Sequence, residues 1–168
     1  MAIGVVRVDA SDEEVRERSG QLEGYIEVFD EFAEALDGIE GYSHLFVIAY
    51  FHKSDWKGLL KVRPRRLLRK GFREGDLPLL GVFATDSPVR PNPIALTLVR
   101  LLGREGNRIR VKGLDLFDGT PVLDIKPYRP DYRASEFRVP DWVLHDSRGF
   151  DLGHQSSATR CFTTTVLR

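Results

Sequence analysis

Between Asn107 and Tyr128 the chain spells out a β-hairpin, and no other stretch constrains the fold as tightly. Ile109 and Val111 share one face, while Arg108, Arg110 and Lys112 share the other. That is the period-2 pattern of a strand with one buried side. Asp118-Gly119 follows, a dipeptide suited to a tight turn. Pro121 to Tyr128 then supplies the returning strand. Similar segments recur at Ile3–Val8, Leu22–Phe29, Leu79–Thr85, Ala95–Leu102 and a threonine-rich Cys161–Leu167. Ser43–Phe51 is apolar on both parities, which predicts a central strand buried on both faces. Helical spacing is scarcer. Phe32, Ala33, Leu36 and Ile39 predict a short amphipathic helix over Asp30–Ile39, and a second is expected around Pro64–Lys70. Strands outnumber helices, and turn signals come at short intervals. The pattern predicts a mainly β protein, a small single-domain β-barrel with one or two short helices, rather than a doubly wound sheet. The barrel is expected over residues 1–130, with 131–168 as an irregular C-terminal extension.

Several classes are disfavoured at this point. A length of 168 residues suits one domain. The longest unbroken apolar run, Leu45 to Phe51, has seven residues, whereas a membrane helix needs about 20. The start, Met1-Ala2-Ile3-Gly4, carries no secretion signal. A cytoplasmic protein without a membrane partner is therefore expected. The single cysteine, Cys161, makes neither an internal disulfide nor a cysteine zinc site. No paired histidines stand at zinc spacing, so no metal is expected. No dinucleotide fingerprint or P-loop occurs.

Basic and acidic residues balance at 25 each, which excludes a diffusely basic nucleic-acid binder. The balance hides segregation. Asp9 to Glu40 holds twelve acidic residues against Arg16 and Arg18. Lys57 to Arg73 holds eight basic residues and no acidic one. Such a stretch creates a strong local field despite net neutrality. It reads either as a phosphate-binding patch or as a loop docked on the chain's own acidic segment.

Two segments carry the chemistry. In Gly81 to Leu96, prolines 88, 91 and 93 each fix their own φ and push Ser87, Arg90 and Asn92 into extended geometry. A stiffened loop displaying polar groups suits a preorganised ligand site, because little entropy is lost on binding. In Gly113 to Tyr128, a regular strand would put Asp115 on the apolar face with Ile109 and Val111. A carboxylate there requires partners or a ligand. Asp118 reads as a turn residue. Asp124 and Lys126 share a face, where they pair with each other or Lys126 meets a substrate.

These segments, GVFATDSPVRPNPIA and LDLFDGTPVLDIKPY, resemble the TsaA-like (TrmO) tRNA methyltransferases. Ile3-Gly4-Val5, Gly41-Tyr42-Ser43-His44-Leu45, Phe51-His52 and Val62-Arg63-Pro64 extend the resemblance over residues 3 to 130. The resemblance implies a β-barrel that binds S-adenosylmethionine at a homodimer interface. It implies N6-methylation of threonylcarbamoyladenosine beside the anticodon of tRNA. Position by position, it implies cofactor contacts at Phe51, His52, position 86, Leu96, Gly113, Leu114 and Asp115. Arg90 and Asn92 match a core that is structural or substrate-facing. Arg63, Arg65, Arg66, Arg69 and Lys70 would hold stem phosphates, and Tyr128 and Phe83 would stack on loop bases. His52, Asp115 and Asp124 are candidate bases, with Asp115 read rather as the holder of cofactor hydroxyls.

The chain departs from the family pattern in places. Asp86 stands where the family has Arg, which reverses a charge at an expected cofactor contact. Ala95 replaces a glycine. The first cofactor loop would fall near Arg18–Gln21, shortened. Two alternatives to tRNA methylation follow: a non-catalytic barrel that binds S-adenosylmethionine or RNA, and a methyltransferase for another small substrate.

Overall fold

The structure is a computed structural model that describes residues 1–146; the strand expected at Cys161–Leu167 lies outside them. Six strands close into an antiparallel barrel in the order β1-β2-β7-β6-β3-β8. They are β1 (Gly4–Arg7), β2 (Leu22–Val28), β3 (His44–Tyr50), β6 (Ile94–Glu105), β7 (Arg108–Leu114) and β8 (Pro121–Pro127). Two short strands, β4 (Lys61–Val62) and β5 (Leu80–Gly81), pair with each other outside it. Closure removes the free edges that an open sheet of this size would expose. Alternate residues fill the interior: Ile26 and Val28, Leu45, Val47 and Ala49, Ala95 and Val99, Ile109 and Val111 are all buried.

The barrel has two ends, and the chain treats them differently. One end carries the β1–β2, β3–β6 and β7–β8 connections, and the other carries β2–β3, β6–β7 and the exit from β8. The second end is plugged by the acidic β2–β3 segment. This segment forms 3-10 turns at Asp30–Leu36 and Ile39–Gly41 rather than one helix. Gly38, at φ 85°, breaks the helical path. Phe32, Leu36 and Ile39 still pack against the core. The second expected helix is likewise a 3-10 turn, Arg65–Lys70.

Other expectations change. Leu79–Thr85 forms only the two-residue β5 before a 3-10 turn, Val82–Ala84. Among the described residues it pairs with β4 alone, over two residues. β3 is buried on one face only. Its inward Leu45, Val47 and Ala49 are sealed, while Phe46 and Ile48 are half-buried and Tyr50 is exposed. A closed barrel offers one interior, and among the described residues no helix layer covers β3 from outside. Two helices were not anticipated. Helix α1 (Asp12–Glu17) begins at a capping box in which Ser11 and Glu14 satisfy each other's backbone N–H groups; those bonds hold the Glu14 carboxyl below its ordinary pKa. Helix α2 (Asp141–Asp146) lies against the Arg65–Lys70 turn, after an irregular stretch over 133–140 of the expected extension.

Candidate functional site

Most of the predicted site residues lie at the first end of the barrel or in the connections that leave it; Asp124, Lys126 and Tyr128, on or just after β8, do not. Phe51 and His52 follow the last residue of β3, Leu96 opens β6, and Gly113 to Asp115 close β7. The proline-rich loop is docked on the turn after β3. The Phe51 N–H donates to the Pro93 carbonyl at 2.8 Å, and the Ser54 hydroxyl donates to the Pro88 carbonyl at 2.6 Å. Within the loop, Thr85 and Ser87 hydroxyls accept from the backbone two residues on, turns that stiffen it further. Arg90 reaches the Val82 carbonyl at 3.5 Å, and the Asn92 carbonyl accepts from Ile94 N–H. Both therefore brace the loop.

The β1–β2 connection completes this end. The Gly20 N–H donates to the Leu114 carbonyl at 3.0 Å. The shortened first loop is thus placed beside Gly113 and Leu114. Lys53 pairs with Asp12 at 2.7 Å. The cations of Lys53 and Arg16 stand 5.1 and 4.8 Å from the centre of the Phe117 ring, within cation–π reach.

Asp115 needs a correction. The strand does not continue regularly, because Gly113 is a bulge: Leu22 pairs with Leu114 while Glu23 pairs with Lys112. Gly113 takes φ 107°, where a side chain would be strained. The bulge shifts parity by one. Leu114 and Leu116, not Asp115, carry the inward pattern forward. Asp115 retains open surface, yet its carboxyl sits in protein surroundings dense enough to raise its pKa. Desolvation is the main cause, opposed by a hydrogen bond from Thr97 and by the charge of Arg66, and reinforced by the negative charge of Asp86. The Thr97 hydroxyl donates to Asp115 Oδ1 at 2.7 Å. Thr97 itself is buried in the barrel, at 5% exposure. The sequence reading passed over it. The available signal was one hydroxyl at an inward position between Ala95 and Val99.

Asp86 is exposed on the loop, close enough for its charge to act on Asp115. Arg66 supplies the opposing positive charge from the Arg65–Lys70 turn. The cationic stretch is thus exposed beside the site; it reaches the acidic Asp9–Glu40 run through Arg69 at α1, while other contacts serve the β2–β3 segment. That segment is held by Arg104, which meets Asp37 at 3.0 Å and Glu40 at 3.5 Å. Part of the stretch serves the fold: Arg63 donates to the Leu77 carbonyl and Arg69 to the Arg16 carbonyl. Arg65 and Arg73 are exposed. Lys126 is not brought to the site. It lies opposite Phe46 on the barrel wall and pairs with Asp124 at 2.7 Å, which also withdraws Asp124 from the candidate bases. Tyr128 is packed edge-on against Phe46 and His44, whereas Phe83 is 79% exposed at the site end.

The outer face of β6 is unusually apolar there. Ile94, Leu96 and Leu98 are 49%, 67% and 46% exposed; they stand in register with Tyr50, Ile48 and Phe46 of β3. A separate open cleft of about 590 Å³ lies over β1, β2 and β7, lined by Arg7, Tyr25, Arg108 and Arg110 among others. Glu27 pairs with Arg7 and Arg108, and the cleft touches none of the predicted site residues.

Residues 15–134 match the family model described as the tRNA-methyltransferase O N-terminal domain. A probable S-adenosyl-L-methionine-binding protein of Pyrococcus abyssi is 47% identical over 122 residues, 73% of this chain and 61% of that protein. A tRNA (adenine(37)-N6)-methyltransferase of Rattus norvegicus is 40% identical over 124 residues, 72% of this chain and 26% of that protein. The crystal structure of TrmO from Pseudomonas aeruginosa superposes with a TM-score of 0.62 at 33% identity, covering 82% of this chain and 58% of that one. The chain thus spans less than two thirds of the length of each of these three.

Proposed function

The chain belongs to the tRNA-methyltransferase O N-terminal domain family, and from that premise we propose that it is an S-adenosylmethionine-dependent tRNA methyltransferase. Its proposed substrate is threonylcarbamoyladenosine next to the anticodon, methylated at N6. The observation that carries this reading is the convergence of Phe51, Leu96 and Asp115 at one end of a closed barrel, beside an exposed cationic turn. The donor set there fits the cofactor. A carboxylate suits the hydroxyls of a sugar, and Phe51, Phe83 and Leu96 offer apolar surface to a base.

When bound, the cofactor supplies a methyl group on a sulfonium, a leaving group that requires no metal. The chain's own residues orient and shield. The proline-rich loop, braced by Arg90 and Asn92, arrives preorganised. Asp115 accepts hydrogen bonds and fixes the sugar. Arg65 and Arg66 hold stem phosphates and position the RNA without reading its sequence. His52, exposed in the turn after β3, is the remaining candidate to take the N6 proton, because Asp115 holds hydroxyls and Asp124 is paired.

The reading includes a homodimer in the cytoplasm. Its support is the apolar band of Ile94, Leu96 and Leu98, larger than scattered surface residues explain, which a second copy would cover at the cofactor end. It also includes the division into a barrel over 1–130 and an extension over 131–168; β8 ends at Pro127 and the family match at residue 134. Calorimetry with S-adenosylmethionine, followed by mass spectrometry of tRNA for one added methyl on the modified adenosine, tests the activity. Absence of cofactor binding at millimolar concentration contradicts it. The nearness of Asp86 to Asp115 favours one alternative, a barrel that binds cofactor or RNA without transfer. Cofactor binding with no methyl gain on any RNA or small molecule would establish it.

A further inference from the structure

Among the described residues two polar side chains are buried, Thr120 just ahead of β8 and Thr97, which alone of the two lies within a strand. On β6 the inward series runs Ala95, Thr97, Val99, and Thr97 faces Val47 across the β3–β6 ladder. Valine has nearly the same shape and would fill this place without a polar atom. A hydroxyl buried among apolar neighbours costs stability unless it is bonded, and the hydroxyl here is bonded outward, to Asp115 Oδ1 at 2.7 Å. The bond links the rigid wall of the barrel to the residue just past the Gly113 bulge, where the backbone has left the ladder. The loop-borne carboxylate is thereby tied to a strand held in the barrel by its ladder with β3.

We propose that Thr97 is a positioning residue of the cofactor site: it clamps one carboxylate oxygen of Asp115, so that the second faces the sugar hydroxyls of a nucleoside ligand. The proposal rests on the cofactor reading above and adds to it a residue that never touches the ligand. A single clamped oxygen sets both the orientation and the charge of the carboxylate. Thr97 stabilises the ionised form, as does the positive charge of Arg66, while burial and Asp86 oppose ionisation. A protonated Asp115 would lose acceptor strength toward the ligand.

The test uses the full chain and two readouts. Carboxyl carbon NMR follows the Asp115 titration without ligand, and calorimetry follows S-adenosylmethionine binding across pH. Thr97→Val removes the clamp at almost constant volume. It is expected to raise the Asp115 titration midpoint and to weaken binding about tenfold at neutral pH. The acid-side loss of affinity then begins at higher pH than in the parent. Thr97→Ser, which keeps the hydroxyl, restores both readouts. Asp115→Asn approaches the same bond from its other partner and serves if Thr97→Val does not fold; it is expected to weaken binding and to abolish the acid-side loss. Parent-like affinity and pH profile in Thr97→Val overturn the proposal. A parent protein that binds no cofactor overturns the cofactor reading instead, and the ligand-free titration still decides whether Thr97 sets the carboxylate.

Discussion

The two ends of the barrel are built from the same strands and satisfy their charges in opposite ways. At the far end the acids of the β2–β3 segment are met within the chain. Arg104 holds Asp37, Glu40 and the Ala33 carbonyl, and Asn107 holds Asp30 and the Val28 carbonyl. Apolar Phe32, Leu36 and Ile39 seal the interior. At the near end a carboxylate is partly desolvated, a cationic turn stands exposed, and Phe83 and Leu96 face solvent. One end closes the core, and the other is left open in a way that suits an external ligand. Net neutrality thus conceals an acidic plug and a basic rim.

That contrast can be broken most directly at Asp115. Asp115→Asn should weaken S-adenosylmethionine binding by about a hundredfold, the loss of charge-assisted hydrogen bonds worth roughly 2–3 kcal/mol. The same substitution should not lower thermal stability. Burial raises the folded carboxyl above its ordinary value of 3.8, so Asp115 costs stability once pH rises through that raised value. The asparagine variant should lose less stability than the parent between acid and neutral pH. A variant that binds normally would place the cofactor elsewhere.

The rim is tested next. Arg65→Glu combined with Arg73→Glu should weaken tRNA binding by at least about tenfold and flatten its salt dependence, since each phosphate contact contributes to the slope. Cofactor affinity should stay unchanged, and unaltered tRNA binding would dismiss the rim. Leu98→Glu should convert a dimer to a monomer in light scattering, by burying an unpaired charge in the proposed interface. A parent chain that is already monomeric would contradict that interface.

The far end supplies the smallest effect and the control. Arg104→Ala should cost about 1–2 kcal/mol in denaturant unfolding, through lost hydrogen bonds to Asp37 and the Ala33 carbonyl. Cofactor and tRNA affinity should not change. A comparable loss of cofactor affinity would mean that the two ends are not independent.

Much of this was legible in the sequence, and the rest was hidden for physical reasons. Alternation at Ile109 and Val111 and the Asp118-Gly119 turn located the hairpin, because strand burial and turn chemistry are local. Phe51, Leu96 and Asp115 lie far apart in the chain, and only the motif resemblance joined them before the fold did. The orientation of Asp115 was not legible, since a single glycine bulge reverses parity without changing composition. Thr97 was passed over because one hydroxyl in a strand carries no signal until its partner is known. Helix α1 is signalled by Ser11 and Glu14, yet its six residues bury only Val15 and so set up no apolar helical period. The inward turn of Arg63 and Arg69 depends on carbonyls 14 and 53 residues away, beyond any local pattern.

The most direct measurement is amide chemical-shift mapping of the protein as S-adenosylmethionine is added. Shifts should concentrate at Phe51, His52, Leu96, Thr97 and Gly113 to Asp115, with residues 29–43 silent. Shifts centred on residues 29–43, or on the cleft of Arg7 and Tyr25, would contradict the assignment of the open end as the cofactor site.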